Sequence, residues 1–278
     1  MKYGIDINNM ELQLAGCNNS GGRIVIDSLG QHGLDELNPD MINNSGELQF
    51  SIPEDKAIIK KVKVPSDKNI DKKELAEFEF MSTLIDKNED LYIKTNSVNG
   101  GTEYLVYGCH RDLVDQKKKF FEDKLMKPSG YKLRALALAD GYQKYCWREG
   151  GELICLLDLS SLSASYCFLN KDQPIFIGSV INSDTDNTNN DTISESFLSD
   201  IRTTIQFQKA NLFKAGYTTP LSLIVVTGTL AGKKTNEIFE EKLQLRTISP
   251  TIKTALFTPD VVDRAGHFLI SLGLTVSD

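Results

Sequence analysis

Two carboxylates stand out by their setting. Asp158 closes the apolar run Leu153-Ile154-Cys155-Leu156-Leu157, and Leu159-Ser160-Ser161 follows as a small polar turn. Asp6 sits in the same surroundings near the start of the chain, inside Gly4-Ile5-Asp6-Ile7, with Asn8 and Asn9 after it. A carboxylate where a strand meets a turn can coordinate a divalent cation, directly or through water. It can also simply accept hydrogen bonds from the backbone N–H groups of its own turn. A third candidate position, Gly228, ends the buried run Leu221 to Val226 through Thr227. Other chemistries find no support. No Ser/His/Asp, Cys/His or paired-carboxylate arrangement is recognisable. The three histidines are too scattered for a metal triad, and the five cysteines are odd in number with no C-x-x-C pair, which reads as reduced structural thiols.

These residues need elements to position them. Ile5 to Leu14 lines up without gaps on Leu157 to Tyr166, so each acid tips a strand–turn–strand unit and one such unit opens each half of the chain. The continuous apolar run before Asp158 is that of a strand buried on both faces. A duplicated α/β fold with a cleft between its halves is expected, the first half spanning residues 1–147 and the second 148–278. In the first half, Gly21 to Asp27 reads as a strand, Ser28 to Ser45 as a loop, and Glu47 to Ile52 as another strand. A strand–helix–strand–strand unit is then inserted at about residues 56–125, closed by a helix from Arg111 to Lys124. Its first helix opens at Asp71, with Leu75, Phe78, Met81, Leu84 and Ile85 spaced as one buried face. The basic run Lys117-Lys118-Lys119 reads as a solvated face, with docking of an acidic partner as the sharper alternative.

Tyr131-Lys132-Leu133-Arg134-Ala135-Leu136 reads as a strand that passes into a helix from Ala137 to Trp147. In the second half a hairpin closes with Pro174 to Val180, and Asn182 to Asp191, made only of Asn, Ser, Asp and Thr, reads as a flexible loop. A helix from Ser194 to Asn211 turns Phe197, Ile201, Ile205 and Phe207 or Gln208 inward, and helices follow at Thr235 to Lys242 and Asp260 to Leu274, the last amphipathic. A net charge of −7 argues against nucleic acid or anionic lipid as the main partner. No apolar run is long enough to span a membrane, and the early strand leaves no room for a signal peptide.

Gly4-Ile5-Asp6-Ile7, Leu157-Asp158-Leu159-Ser160-Ser161 and Val225-Val226-Thr227-Gly228 occur in the order of the two phosphate loops and the adenosine loop of the actin, Hsp70 and sugar-kinase superfamily, and the chain resembles that superfamily over most of its length. Within it the chain is similar to PilM of type IV pilus assembly, and next to GspL of type II secretion and FtsA of cell division. Tyr104 to Gly108 leading into Arg111 to Asp115, the Leu133 to Ala139 run, Gln173 to Ile177 and Phe268 to Leu274 carry that likeness further. The resemblance implies duplicated actin-like (RNase H-like) halves, an inserted subdomain of the SHS2 type, and a second-half insertion reduced to the Asn182 to Asp191 loop.

The departures from the superfamily pattern matter for function. Phosphate loops use glycine after the Asp, because backbone N–H groups must approach the phosphate closely. Here Asn8 and Ser160 stand there, Met10 and Leu162 follow, and Gly228 is paired with Thr229 where a second glycine is usual. The resemblance therefore implies a non-catalytic scaffold without a cofactor, cytoplasmic and peripheral at the inner membrane through its partners. It would bind the cytosolic N-terminal segment of a PilN-like membrane protein and could also touch the pilus assembly ATPase. The alternative is an ATP-binding protein of the same superfamily, with Asp6, Asn8, Asn9, Asp158, Ser160 and Ser161 around Mg2+ and the phosphates of ATP, and Gly228 near the adenine.

Overall fold

The computed structural model describes residues 1–8, 11–20, 23–42, 46–65, 71–86, 89–98, 101–183 and 193–276. Two five-stranded sheets form the body of the molecule. The first comprises β1 (Lys2–Asn8), β2 (Glu11–Ser20), β3 (Arg23–Gly33), β4 (Glu47–Ile52) and β8 (Pro128–Leu133), in the order β3-β2-β1-β4-β8. The second comprises β9 (Leu153–Leu159), β10 (Ser163–Asn170), β11 (Gln173–Ile181), β12 (Leu221–Thr227) and β13 (Thr247–Ile248), in the order β11-β10-β9-β12-β13. The two orders are the same. Register repeats as well: Ile5 faces Leu14 and Asp6 faces Gln13 in the first sheet, and Leu157 faces Tyr166 and Asp158 faces Ser165 in the second. The gapless alignment of the two acid-tipped units thus corresponds residue for residue to strand pairing. β9 is buried along its whole length, as its unbroken apolar run requires.

Helices α3 (Arg134–Tyr145) and α6 (Leu269–Leu274) join the sheets. Each leaves its own half: α3 packs on β9, β10 and β11, and α6 packs on β1, β2 and β4. The two helices also pack on each other with their backbones close together. A Cβ on Gly273 would strike the Ala137 carbonyl, one on Gly141 the Leu269 carbonyl, and one on Gly4 of β1 the Ser271 carbonyl. The C-terminal segment is therefore not the single amphipathic helix that the periodicity of Asp260 to Leu274 predicts. A 3-10 helix (Val262–His267) ends at Phe268, and α6 is buried on all sides because it lies between the two sheets.

Between β4 and β8 lies a smaller unit. Strands β5 (Ala57–Lys63), β6 (Leu91–Val98) and β7 (Glu103–His110) form an antiparallel sheet in the order β5-β7-β6, with α1 (Lys72–Ser82) on one face. Asp71 caps α1, its carboxylate accepting from the N–H groups of Lys73 and Glu74. Ala76, Phe80 and Leu84 join Val62, Val64, Leu91 and Val106 in a separate small core. Of the expected inward face, Leu84 joins this core and Leu75 and Met81 pack against it, but Phe78 is 67% exposed and Ile85 fully so. The reason is helical phase: α1 ends at Ser82, so Ile85 no longer follows its period, and the face centred on Ala76 and Phe80 excludes Phe78. Helix α2 (Arg111–Asp123) returns the chain to the first sheet, burying Val114 and Phe121.

Other expectations shift: β8 ends at Leu133 and α3 already begins at Arg134, so Arg134 to Leu136 is helix rather than strand. β3 continues to Gly33, so Ser28 to Gly33 is strand rather than loop. Helix α4 (Glu195–Lys214) turns Gln208 inward, where its amide donates to the Tyr166 hydroxyl, while Phe207 is exposed. Helix α5 (Lys233–Leu243) matches the helix read after β12. All five cysteines are free and buried. The reduced second-half insertion lies almost wholly outside the described residues.

Candidate functional site

Strands β1 and β9 carry Asp6 and Asp158 to the cleft between the halves, where both are almost fully buried, at 3% and 5% exposure. Neither acid takes the N–H groups of its own turn among the described hydrogen bonds. Their partner is Arg134, the first residue of α3, itself 3% exposed. Its Nε and a terminal nitrogen donate to the two oxygens of Asp6 at 3.0 and 3.1 Å, a bidentate pair. The same terminal nitrogen lies 3.6 Å from Asp158 Oδ1, and the other donates to Ser163 Oγ at 3.2 Å. One guanidinium from the first half thus bridges acids of both halves.

Each acid also receives a hydroxyl from the neighbouring parallel strand. Ser51 of β4 donates to Asp6 at 2.5 Å, and Thr227 of β12 donates to Asp158 at 2.8 Å. A third carboxylate lies close by. Glu54, just past β4, accepts from the Ala135 N–H at 2.5 Å and from Ser165 Oγ at 2.9 Å. It caps the N-terminus of α3, where negative charge is favoured by the helix dipole, and links the first half to β10 of the second.

The electrostatics follow from crowding three carboxyls around one guanidinium out of water. Burial pushes Glu54 from the ordinary 4.5 up to about 7, against the pull of Arg134. Burial likewise raises Asp158 from 3.8 to about 6, with Asp6 adding repulsion and Arg134 and Thr227 opposing. Desolvation works against the Arg134 cation, but Asp6, Asp158 and Glu54 outweigh it and hold its pKa above the usual arginine value. Lys117 on α2 is half-buried, not a fully solvated lysine, and desolvation lowers its pKa while Asp6 opposes.

Of the residues singled out in the sequence, Asp6, Asn8, Asp158, Ser160 and Ser161 line one cavity of about 220 Å3, with Arg134 at its base. Asn9 lies outside the described residues. Gly228 sits at φ +91° beside the cleft, and a Cβ there would strike the backbone of Leu159, so a glycine is required by the close approach of two chain segments. Its carbonyl lies 2.7 Å from His267 Nδ1. The turn after Asp158 is closed on itself: Ser160 N–H and Oγ–H both donate to the Ser163 carbonyl, and Ser163 N–H donates back to Ser160 Oγ.

The Asp6 and Asp158 carboxylates are engaged by one guanidinium and two hydroxyls, Ser160 spends its donors within its own turn, and the cavity these residues line is about 220 Å3. Sequence reasoning missed Arg134, Ser51, Glu54 and Ser165. One signal was present. An arginine inside the apolar run Leu133 to Ala139 must be paired if that run is buried.

No family model and no curated protein matches the chain. Among solved structures it is similar to a PilM-PilN type IV pilus biogenesis complex, at 13% identity and TM-score 0.70, covering 99% of this chain and 97% of the other. It is also similar to the cytoplasmic domain of EpsL, an inner-membrane component of the Vibrio cholerae type II secretion system, at 10% identity and TM-score 0.56, covering 100% and 96%. A Bacteroides thetaiotaomicron protein with an actin-like ATPase fold and unknown function matches at 10% identity and TM-score 0.54, covering 99% and 96%. The repeated sheet order, the exchanged helices α3 and α6 and these likenesses agree: the chain has the actin-like ATPase fold.

Proposed function

We propose that this protein is an actin-like scaffold of a type IV pilus or type II secretion platform that works without nucleotide and holds the cytosolic N-terminal segment of a PilN-like membrane protein. The observation that carries the nucleotide-free part is Arg134, which pairs with Asp6 and reaches Asp158 in the cleft. Support for the partner comes from the likeness to a structure in which PilM is in complex with PilN. No helix of the described residues is long and apolar enough to cross a membrane, so a place at the inner membrane would come through such a partner.

A groove suited to a peptide lies beside the inserted subdomain. It is a cavity of about 320 Å3 between the start of the edge strand β5 (Ala57, Ile58) and the start of α2 (His110, Leu113), with Asp55 at its rim. An extended segment could lay apolar side chains there, beside the ion pair of Asp55 and Lys56 that lines the same cavity. The test is fluorescence anisotropy with a labelled peptide from the cytosolic start of the PilN-like protein. The expected result is saturable binding, unchanged by Mg·ATP and weakened about tenfold by Leu113→Arg. Absence of binding, or binding that requires ATP, would overturn the proposal.

A further inference from the structure

We infer that Arg134 is the resident cation of the cleft, setting the angle between the two halves in place of any ligand-borne charge. The inference rests on the nucleotide-free reading and goes beyond it, because it assigns to one side chain the charge link between the acids of the two halves, beside the packing of α3 on α6. Polar links within the cluster cross the cleft through Arg134 at the start of α3 and Glu54 just past β4. Arg134 reaches Asp158 and Ser163 of the second half while bonded to Asp6 of the first, and Glu54, seated on the Ala135 N–H, reaches Ser165. The planar fork is what makes this geometry available, since it donates in three directions at once. A lysine ammonium in the same place is a point charge on a flexible stem and could not hold both acids and Ser163 in register. Arg134 is thus a positioning residue.

The same geometry defines what its removal uncovers. Without the guanidinium, two buried carboxylates face one space, each still held by its own hydroxyl. That is a hard-oxygen arrangement that divalent cations such as Mg2+ favour. The cleft of this chain would then regain a dependence on added cation that the native arginine makes unnecessary.

The experiment compares thermal unfolding of the whole chain and of Arg134→Met, each with and without magnesium chloride. The native chain should melt at the same temperature in both buffers. Arg134→Met should melt about 10 °C lower in the absence of the ion, and magnesium should restore part of the difference. Adding Asp158→Asn to Arg134→Met should abolish the response. If Arg134→Met folds only when magnesium is present, the inference stands. If it fails to fold in either buffer, or folds and ignores the ion, the inference falls, as it does if the native chain is itself stabilised by magnesium. Arg134→Lys should fold with a lowered melting temperature and no response to the ion, and a lysine variant as stable as the native chain would also contradict it. Failure here would leave the nucleotide-free reading intact, whereas ATP binding to the native chain would sink that reading separately.

Discussion

The two halves of the molecule share a sheet order, a register and even a hydroxyl partner for each acid, yet their acids are treated unequally. Asp6 receives two close bonds from Arg134 and one from Ser51. Asp158 receives Thr227 and a single contact to Arg134 at 3.6 Å, and its carboxyl is pushed up to about 6. The difference arises in the helices that follow the fifth strand of each sheet. α3 begins with Arg134, whereas α6 begins with Leu269 and is buried throughout. A duplicated fold supplied two matched acids but only one cation, and the half that supplies the cation bonds it best. A second asymmetry lies two residues earlier in each strand. Gly4 lets the backbone of α6 approach β1, and the aligned position in β9 is Leu156.

Variants can test this inequality. Gly4→Ala should have the largest effect, about 4 kcal/mol or more in urea unfolding, because the new methyl group would meet a backbone carbonyl that cannot move aside cheaply. Asp6→Asn should cost about 3–5 kcal/mol, since it breaks a bidentate pair and leaves a buried guanidinium short of charge. Glu54→Gln should act with the opposite sign and a pH signature. Glu54 has a folded pKa raised from 4.5 to about 7, so its contribution is full below pH 4.5 and is lost as pH rises through 7. The glutamine keeps an acceptor for Ala135 N–H and imitates the protonated acid. It should stabilise the chain by about 1–3 kcal/mol at pH 8, with the gain fading toward pH 5. Asp158→Asn should have the smallest effect, within about 1 kcal/mol of the native chain at pH 8. The amide retains the Thr227 bond and removes a carboxyl that burial already disfavours when charged. Equal costs for the Asp6 and Asp158 variants would show that the two halves are equivalent after all.

Much of this arrangement could be read from residues alone where the information was local. The run Leu153 to Leu157 can only be a doubly buried strand, and its match to the start of the chain revealed the duplication that the register repeats. The clustering of Asp6, Asn8, Asp158, Ser160 and Ser161 followed from that match. Arg134 was not legible in the same way. It lies 128 residues from Asp6, and no local pattern announces a partner at that distance. Gly228 was legible as a special position, and the closeness of Leu159 is sufficient reason for a glycine there. The helix of Asp260 to Leu274 misled because its apolar spacing records burial between two sheets, and burial on every side erases the one-faced pattern that sequence periodicity detects.

On the reading proposed above, Arg134 supplies the positive charge between Asp6 and Asp158 and the cleft works without nucleotide. Calorimetric titration of the native chain with Mg·ATP addresses it most directly. The account predicts no heat beyond dilution, and the same flat trace for Asp158→Ala. Saturable ATP binding that Asp158→Ala abolishes would contradict it.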